Sequence, residues 1–203
     1  MAEISILNYG IGNTGSILNM LRKLRAPAEV VATPEAVSAA TRLVLPGIGA
    51  FDACMGALQN CGLREALLQF AATGRPLLGI CVGMQMLTLG SEEGNLPGLG
   101  LIRARTRRFA ASAGLRIPHM GWDNIGWRLP EHPLARNLTH GSRFYFVHSY
   151  RVTCESADNT LAACTYGEEF AAAIAADNIA GVQFHPEKSH RFGLQLLSNF
   201  ASA

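Results

Sequence analysis

The feature that most constrains the fold of this chain is a cysteine placed between two glycines directly after an apolar run. Residues 76–80 (P-L-L-G-I) have the pattern of a buried strand, and residues 82–89 have the pattern of a helix. A sharp strand-to-helix turn needs small neighbours, because its strained backbone lifts one side chain clear of the sheet. Residues 79–83 (G-I-C-V-G) therefore predict an α/β fold that raises Cys81 at the carboxyl end of a strand, where the helix dipole favours the thiolate.

Strand and helix signals alternate through the first half of the chain. After the first strand, apolar residues recur with the spacing of one helix face, at Ile17, Met20, Leu21 and Leu24. Strands that alternate with helices imply crossover connections and a parallel sheet. From about residue 98, strands follow one another through loops, before a last strand (178–184) and a last helix (192–200). We therefore predict one domain over residues 1–203, with a central, mainly parallel sheet flanked by helices and an antiparallel extension.

Composition and charge exclude several classes of function. The 203 residues carry a formal net charge of +2, and 49% of them are hydrophobic. Such a chain suits a globular domain, and its charge gives no reason to expect binding to nucleic acid or to a membrane surface. We find no secretory signal before the first strand, and the uncharged window 76–91 is too short to span a bilayer. We therefore expect a soluble protein of the cytoplasm, with no nucleic acid and no membrane among its partners.

A second stretch, residues 181–187 (G-V-Q-F-H-P-E), supplies the groups that a nucleophilic cysteine needs. Its His185 can act as a general base and then as the acid that protonates a leaving group. Glu187 can orient the imidazole and stabilise its charged form. Together with Cys81, these two residues form the constellation of an acyl-transfer site.

Two further features bear on the chemistry at Cys81. The backbone N–H of Val82, the residue after the cysteine, is the natural first donor to an oxyanion. A glycine-rich loop at residues 46–49 (P-G-I-G) can supply a second donor, because glycine lets a peptide turn its N–H towards a ligand. His-x-Glu also occurs in zinc deaminases, but the P-C-x-x-C ligand pair that those enzymes require is absent from this sequence. We therefore expect neither a metal nor a cofactor.

Taken together, these motifs resemble those of the class I, or triad-type, glutamine amidotransferases. G-I-C-V-G-M-Q matches the nucleophile motif of that class, and G-V-Q-F-H-P-E matches its triad motif. Further blocks are similar to one branch, the glutaminase subunits of imidazole glycerol phosphate synthases. They lie at residues 8–13 (N-Y-G-I-G-N), 45–51 (L-P-G-I-G-A-F), 118–122 (P-H-M-G-W), 145–150 (Y-F-V-H-S-Y) and 187–189 (E-K-S). The resemblance extends from Ile4 to Phe200.

The resemblance implies a flavodoxin-like α/β fold and hydrolysis of L-glutamine to glutamate and ammonia. In this branch the ammonia passes to a (β/α)₈-barrel cyclase subunit, the partner in a heterodimer that makes imidazole glycerol phosphate and AICAR in histidine biosynthesis. Carried over, the catalytic triad is Cys81, His185 and Glu187, and the oxyanion positions are Val82, Ile48 and Gly49. The glutamine-holding positions are Gln85, Glu93, Ser149 and Tyr150. The positions at the partner interface are Asn13, Trp122, Tyr145 and Lys188.

Three other interpretations remain open on the sequence. Residues 188–193 (K-S-H-R-F-G) are similar to a paralogous branch of glutaminases that supply ammonia to a sugar amidotransferase in surface-polysaccharide biosynthesis. A second alternative is a non-catalytic relative that regulates a partner through the same fold, although all three triad residues are present. A third is a stress-response or chaperone-like protein with a reactive cysteine, which would leave Gln85 and the H-P-E sequence unexplained.

Overall fold

The computed structural model describes residues 3–110 and 114–203, and its central feature is a mixed β-sheet. Five of its strands are β1 Ile4–Leu7, β2 Ala28–Val31, β3 Leu43–Gly47, β4 Leu77–Cys81 and β12 Ile179–Val182. These five strands are neighbours and run parallel, in the order β2, β1, β3, β4 and β12. Every residue of β1, β3, β4 and β12 is buried, as expected for parallel strands covered on both faces.

Antiparallel strands extend this sheet beyond β12. The remaining strands are β5 Ala104–Arg108, β6 His119–Asn124, β7 Gly126–Trp127, β8 Arg143–His148, β9 Tyr150–Cys154, β10 Thr160–Tyr166 and β11 Glu168–Ala176. β11 pairs with β12, β10 pairs with β11, and the short β7 pairs with β10, while β9 bridges β11 and β5. β6 and β8 form a separate two-stranded antiparallel sheet. The predicted antiparallel extension is thus confirmed.

Helices pack against the sheet in two groups. Their bounds are α1 Thr14–Lys23, α2 Pro34–Ala39, α3 Phe51–Asn60, α4 Leu63–Ala71, α5 Val82–Met86 and α6 His190–Ala201. α1 contacts α6, whereas α2 and α3 contact α4. The apolar face predicted for α1 is buried at Ile17, Met20 and Leu21. Every helix in the described ranges is too short or too polar to cross a lipid bilayer.

The structure corrects the sequence prediction at several elements. The helix predicted over residues 82–89 ends at Met86, because the backbone N–H of Thr88 donates to the Gln85 carbonyl oxygen at 3.1 Å in a tighter turn, and the N–H of Leu89 donates to the Ala104 carbonyl oxygen at 3.0 Å outside the helix. The sequence patterns did not predict α2, α3, β6, β7 and β11. The single domain over residues 1–203 stays a prediction, and residues 1–2 and 111–113 of it lie outside the described ranges.

Candidate active site

The loops that carry the predicted site follow three neighbouring parallel strands. β3 lies beside β4, with Gly47 opposite Cys81, and β12 lies on the other side of β4, with Val182 opposite Ile80. The carboxyl ends of parallel strands meet at one edge of the sheet, which is where open α/β sheets bind ligands. The topology therefore brings the P-G-I-G loop, the cysteine turn and the histidine loop to one place.

Cys81 is the last residue of β4, and its backbone is strained. It adopts φ 56° and ψ −113°, a region that residues with a side chain rarely occupy. The turn is possible because the glycines on either side of Cys81 have no Cβ, so neighbouring backbone segments can approach them closely. A Cβ on Gly83 would lie 2.0 Å from the Leu45 carbonyl oxygen, and a Cβ on Gly79 would lie 2.7 Å from the Gly83 carbonyl oxygen. The sharp strand-to-helix turn predicted from G-I-C-V-G is thus confirmed.

His185 and Glu187 follow β12, and their side chains are in direct contact. Nδ1 of His185 lies 2.8 Å from Oε1 of Glu187, and the two side chains are 5% and 2% exposed. A 3₁₀ turn at Pro186–Lys188 folds the two residues together, and the Ser189 hydroxyl closes it by donating to the His185 carbonyl oxygen at 2.6 Å. Oε2 of Glu187 is buried without a hydrogen-bond partner in residues 3–110 and 114–203, so the carboxylate is directed at the imidazole.

The pKa of His185 reflects a competition between burial and two acidic neighbours. Burial lowers it, whereas hydrogen bonds with Cys81 and Glu187, together with the negative charges of these groups, raise the pKa of His185 to about 10. The imidazole is therefore protonated at neutral pH, with the cysteine sulfur and the carboxylate beside it. An imidazole placed between a cysteine sulfur and a carboxylate is the arrangement that activates a thiol nucleophile.

A cavity of about 460 Å³ opens at Cys81, a volume that suits a small ligand. Most of the predicted site residues line it, namely Ile48, Gly49, Cys81, Val82, Gln85, Glu93, Ser149, Tyr150, His185 and Lys188. The structure therefore brings the predicted nucleophile, oxyanion and glutamine-holding positions to one cavity, with Glu187 behind His185. Asn13, Trp122 and Tyr145 lie outside this lining.

Hydrogen bonds fix two of the cavity's polar side chains. Nε2 of Gln85 donates to Oε1 of Gln183 at 3.1 Å and to the Tyr150 carbonyl oxygen at 3.4 Å, and the side chain is almost fully buried. Its Nε2 hydrogens are thus used within the protein, which leaves its Oε1 for a ligand. Oε2 of Glu93 accepts from the backbone N–H of Phe51, the first residue of α3, at 2.8 Å. Glu93 is therefore held in one orientation by a helix terminus.

Two buried groups hold the P-G-I-G loop beside Cys81. The Tyr9 hydroxyl donates to the Pro46 carbonyl oxygen at 2.7 Å, and the Cys54 thiol donates to the Ile48 carbonyl oxygen at 3.2 Å. Burial raises the pKa of the Cys54 thiol, so it keeps the proton that it donates. The peptide that joins Ile48 to Gly49 consequently has a defined orientation at the cavity.

Gln183 is a site residue that the sequence analysis missed. Its Nε2 donates to the Cys81 sulfur at 3.8 Å, its Oε1 accepts from Gln85, and its side chain is fully buried. It lies two residues before His185, and alternate residues of an extended segment point to the same side, so this spacing was a usable signal. Pro118 and His148 also line the cavity, although neither was predicted to have a role there.

Three of the four residues predicted for a partner interface form one cluster. Trp122 and Tyr145 are directly opposite in the β6–β8 pair, with ring centroids 6.0 Å apart. The Lys188 ammonium lies 5.5 Å from the centroid of the Tyr145 ring, and Trp122 stacks on His190 at 5.2 Å. Asn13 lies immediately before α1, on the loop that follows β1 at the same edge of the sheet.

Comparison with known proteins decides the family. The sequence model of the class-I glutamine amidotransferases matches residues 5–203 of this chain. The chain belongs to the class-I glutamine amidotransferases. It is 50% identical to imidazole glycerol phosphate synthase subunit HisH 2 of Methanococcus maripaludis, over 97% of this chain and 98% of that protein. It is 46% identical to the subunit of the same name from Pseudomonas aeruginosa, with the same coverage. Within its class, this amidotransferase therefore belongs to the HisH subunits.

Solved structures share the fold at much lower sequence identity. The structure of PurLQS from Thermotoga maritima matches with a TM-score of 0.76 at 17% identity, over 99% of this chain and 98% of that chain. A structure described as glutamine amidotransferase matches with a TM-score of 0.73 at 18% identity, over 100% of both chains. The predicted class I glutamine amidotransferase fold is therefore confirmed.

Proposed function

We propose that this amidotransferase is the glutaminase subunit of an imidazole glycerol phosphate synthase and hydrolyses L-glutamine to glutamate and ammonia. The observation that carries the proposal is the placement of Cys81 and His185 at one cavity, with Glu187 in contact with His185 behind it, in a chain 50% identical to a HisH subunit. The ammonia passes to a (β/α)₈-barrel cyclase subunit, with which the chain forms a heterodimer. The reaction belongs to histidine biosynthesis in the cytoplasm.

The triad supports a two-step hydrolysis. In the first step the Cys81 thiolate attacks the side-chain carbonyl carbon of glutamine, the C–N bond breaks, and ammonia leaves with a proton from the His185 imidazolium. In the second step a water molecule, deprotonated by His185, attacks the resulting thioester and releases glutamate and the cysteine sulfur. Glu187 keeps its contact with Nδ1 of His185 throughout, which directs Nε2 at the reacting atoms.

The oxyanion that forms at each attack needs hydrogen-bond donors beside the Cys81 sulfur. The N–H of Val82 lies at the start of α5, where the first N–H groups of a helix have no partner within the helix. The P-G-I-G loop supplies the second donor from the Ile48 and Gly49 peptides, which line the same cavity. Removing one such donor typically slows an acyl-transfer reaction by about 10²–10³-fold.

The cavity walls provide groups of the right charge for the two ends of glutamine. Glu93 offers a carboxylate to the α-ammonium group, and it is held in place by the Phe51 N–H. Gln85 offers its Oε1, while Ser149 and Tyr150 offer backbone groups at the start of β9. The cyclase contacts the cluster formed by Trp122, Tyr145 and Lys188, together with Asn13 on the neighbouring loop.

The alternative acceptor, a sugar amidotransferase of surface-polysaccharide biosynthesis, has less support. The two relatives described above both carry the name of the imidazole glycerol phosphate synthase subunit, at 50% and 46% identity over nearly the whole chain. The geometry also argues against a non-catalytic relative. A protein that only regulates a partner would need neither a buried His185–Glu187 pair at an open cavity nor a strained cysteine beside that pair.

The test measures glutamate release by the purified chain alone, with the cyclase subunit of the same organism, and with the cyclase and its phosphoribulosyl substrate. Cys81→Ala should abolish release in all three samples, whereas Cys61→Ala, which alters an exposed cysteine, should leave it unchanged. We expect the cyclase and its substrate to increase release. Labelling of Cys81 by a glutamine-like electrophile without any response to the cyclase would reject this partner, and release that survives Cys81→Ala would reject the mechanism.

A further inference from the structure

Asp52, the second residue of α3, has no part in the hydrolysis proposed above, yet its carboxylate binds a loop at the cavity. The Glu93 loop, residues 89–97, lies between α5 and β5. Oδ2 of Asp52 accepts from the backbone N–H of Asn95 at 2.9 Å, and Oδ1 accepts from the backbone N–H of Leu96 at 3.1 Å. Each N–H therefore faces its own acceptor oxygen, an arrangement that a carboxylate satisfies and an amide does not.

Gly94 allows the Asp52 carboxylate to lie directly against the backbone of the Glu93 loop. A Cβ on Gly94 would lie 2.0 Å from Oδ1 of Asp52 and 2.2 Å from its Cγ. The backbone of Gly94 is outside the left-handed region, so the close approach alone requires a glycine at this position. Any side chain at position 94 would therefore displace Asp52 from the loop.

The backbone on both sides of Glu93 is fixed by hydrogen bonds. Before Glu93, the N–H of Glu92 donates to the Thr106 carbonyl oxygen at 3.0 Å, and the N–H of Thr106 donates to the Gly90 carbonyl oxygen at 3.0 Å, so β5 fixes this part of the loop. After Glu93, the Asp52 carboxylate fixes the loop through the two N–H groups described above. Hydrogen bonds to an ionised acceptor are the stronger kind, so the loss of Asp52 would release the backbone after Glu93.

The side chain of Glu93 has one carboxylate oxygen committed to the protein and one available to a ligand. Oε2 accepts from the backbone N–H of Phe51, the residue before Asp52, at 2.8 Å, and Glu93 lines the cavity. Oε1 has no hydrogen-bond partner in the part of the chain that the structure describes. A free carboxylate oxygen suits the α-ammonium group of an amino acid, and such a contact requires placement to within about 0.5 Å.

We propose that Asp52 is a positioning residue for recognition of the α-ammonium group of glutamine, because it holds the loop that places the Glu93 carboxylate at the cavity. This role presupposes the function proposed above. Asp52 itself lies outside the cavity lining, whereas Cys81 lies within it. The loss of Asp52 should therefore weaken the binding of ligands that carry an ammonium group and spare the reactivity of the Cys81 thiol itself.

The test compares two electrophiles that alkylate Cys81. The chloroketone analogue of glutamine carries the α-ammonium group, whereas iodoacetamide lacks it. Mass spectrometry of the full-length chain gives the rate constant for each electrophile, with the Cys81→Ala chain as the blank for other cysteines. Asp52→Asn replaces one acceptor oxygen with a donor. We expect it to lower the rate constant for the chloroketone about tenfold and to leave that for iodoacetamide within about twofold.

Three further variants separate the position of the loop from its charge. Gly94→Ala keeps the charge of Asp52 but displaces its carboxylate, and it should reproduce the loss with the chloroketone. Glu93→Gln should cause a similar loss, and adding Asp52→Asn to it should change little more, because both substitutions act on one contact. Asp158→Asn removes a charge at an exposed position outside the cavity lining, and it should leave both rate constants unchanged.

Amide hydrogen exchange measures the Asp52 contact without any ligand. The N–H groups of Asn95 and Leu96 should exchange about tenfold faster in Asp52→Asn than in the wild type. Equal exchange, equal rate constants for the chloroketone, or an equal fall with both electrophiles would overturn the positioning role. If the chloroketone fails to label wild-type Cys81, the proposed function is rejected together with this role. If Glu93→Gln slows labelling and Asp52→Asn does not, the role of Asp52 alone is rejected.

Discussion

Oε1 of Glu187 lies 2.8 Å from Nδ1 of His185, and both side chains are almost fully buried. Among residues 3–110 and 114–203 the other carboxylate oxygen has no partner, so the charge of Glu187 acts mainly on the imidazole. Glu187 and Cys81 together raise the pKa of His185 against the effect of burial. The reactivity of Cys81 should therefore depend on the charge of the side chain at position 187, and not only on the size and shape of that side chain.

Glu187→Gln tests this dependence, because it keeps the size of the side chain and removes its charge. A raised pKa means that the imidazolium is present below about pH 10 and is lost as pH rises through that value. Without the charge of Glu187, the imidazolium should be lost at a lower pH, and glutamine hydrolysis should fall by about 10²-fold or more. The pH dependence of Cys81 alkylation and an NMR titration of His185 report the change. Equal titration curves in variant and wild type would show that the charge of Glu187 does not act on the imidazole.

The positive φ of Cys81 predicts an unusual order of stability among variants at this position. A residue with a Cβ at φ 56° and ψ −113° is strained by about 1–3 kcal/mol, whereas glycine is not. Cys81→Gly should therefore be more stable than Cys81→Ala by about 1 kcal/mol, after glycine's larger loss of chain entropy is subtracted. Chemical denaturation of the two inactive variants measures the difference. An alanine variant at least as stable as the glycine variant would show that the turn stores no strain.

Gly83 and Gly56 form a matched pair for testing the close backbone approach behind the cysteine. A Cβ on Gly83 would lie 2.0 Å from the Leu45 carbonyl oxygen, whereas a Cβ on Gly56, inside α3, would meet nothing within 4 Å. Gly83→Ala should destabilise the fold by about 3 kcal/mol or more, because backbone must move. Gly56→Ala should be neutral or stabilise it by up to about 1 kcal/mol through helix propensity. Thermal unfolding of both variants provides the comparison.

The parallel half of the fold was predictable because its signals are local. The face of α1 and the apolar run before Cys81 fix their elements by periodicity alone. β11 was not predictable in this way, since residues 171–173 are three alanines and alanine has little preference for strands. Its burial between β10 and β12 makes it a strand. α2 was readable, because Thr33 caps it and Pro34 opens it.

The site was predictable where a residue carries chemistry within a motif, and less so where it acts through another residue. Cys81 and His185 follow strands that the sequence indicates, so their meeting at one sheet edge follows from topology. The contact between His119 and His148 depends on the register of β6 with β8, which no local pattern encodes. Gln183 was missed although it shares a motif with His185, because its role is a contact with Cys81 across the sheet.

Gln183→Met should weaken glutamine hydrolysis, because it removes the donor to the Cys81 sulfur and the acceptor for Gln85. A buried amide that loses its hydrogen-bond partner typically destabilises a protein by about 1–3 kcal/mol. In this variant the amide that loses its partner is Gln85, which lines the cavity. We expect kcat/KM for glutamine to fall about tenfold or more. Gln59→Met, at an exposed position of α3, is the matched control and should change neither activity nor stability measurably. A fall in both variants would point to a general effect of methionine.

The two lysines of this chain allow the partner surface to be tested with one kind of substitution. Lys188 lies over the Tyr145 ring beside Trp122, whereas Lys23 ends α1 on the exposed surface. Removing a charge from the centre of an interface typically weakens binding by more than about 1 kcal/mol, whereas removing one outside it does little. Lys188→Ala should raise the Kd for the cyclase subunit about tenfold, and Lys23→Ala should leave it within about twofold. Titration of each variant with the cyclase, followed by calorimetry, measures both constants. Equal Kd values for the two variants would place the interface elsewhere on the molecule.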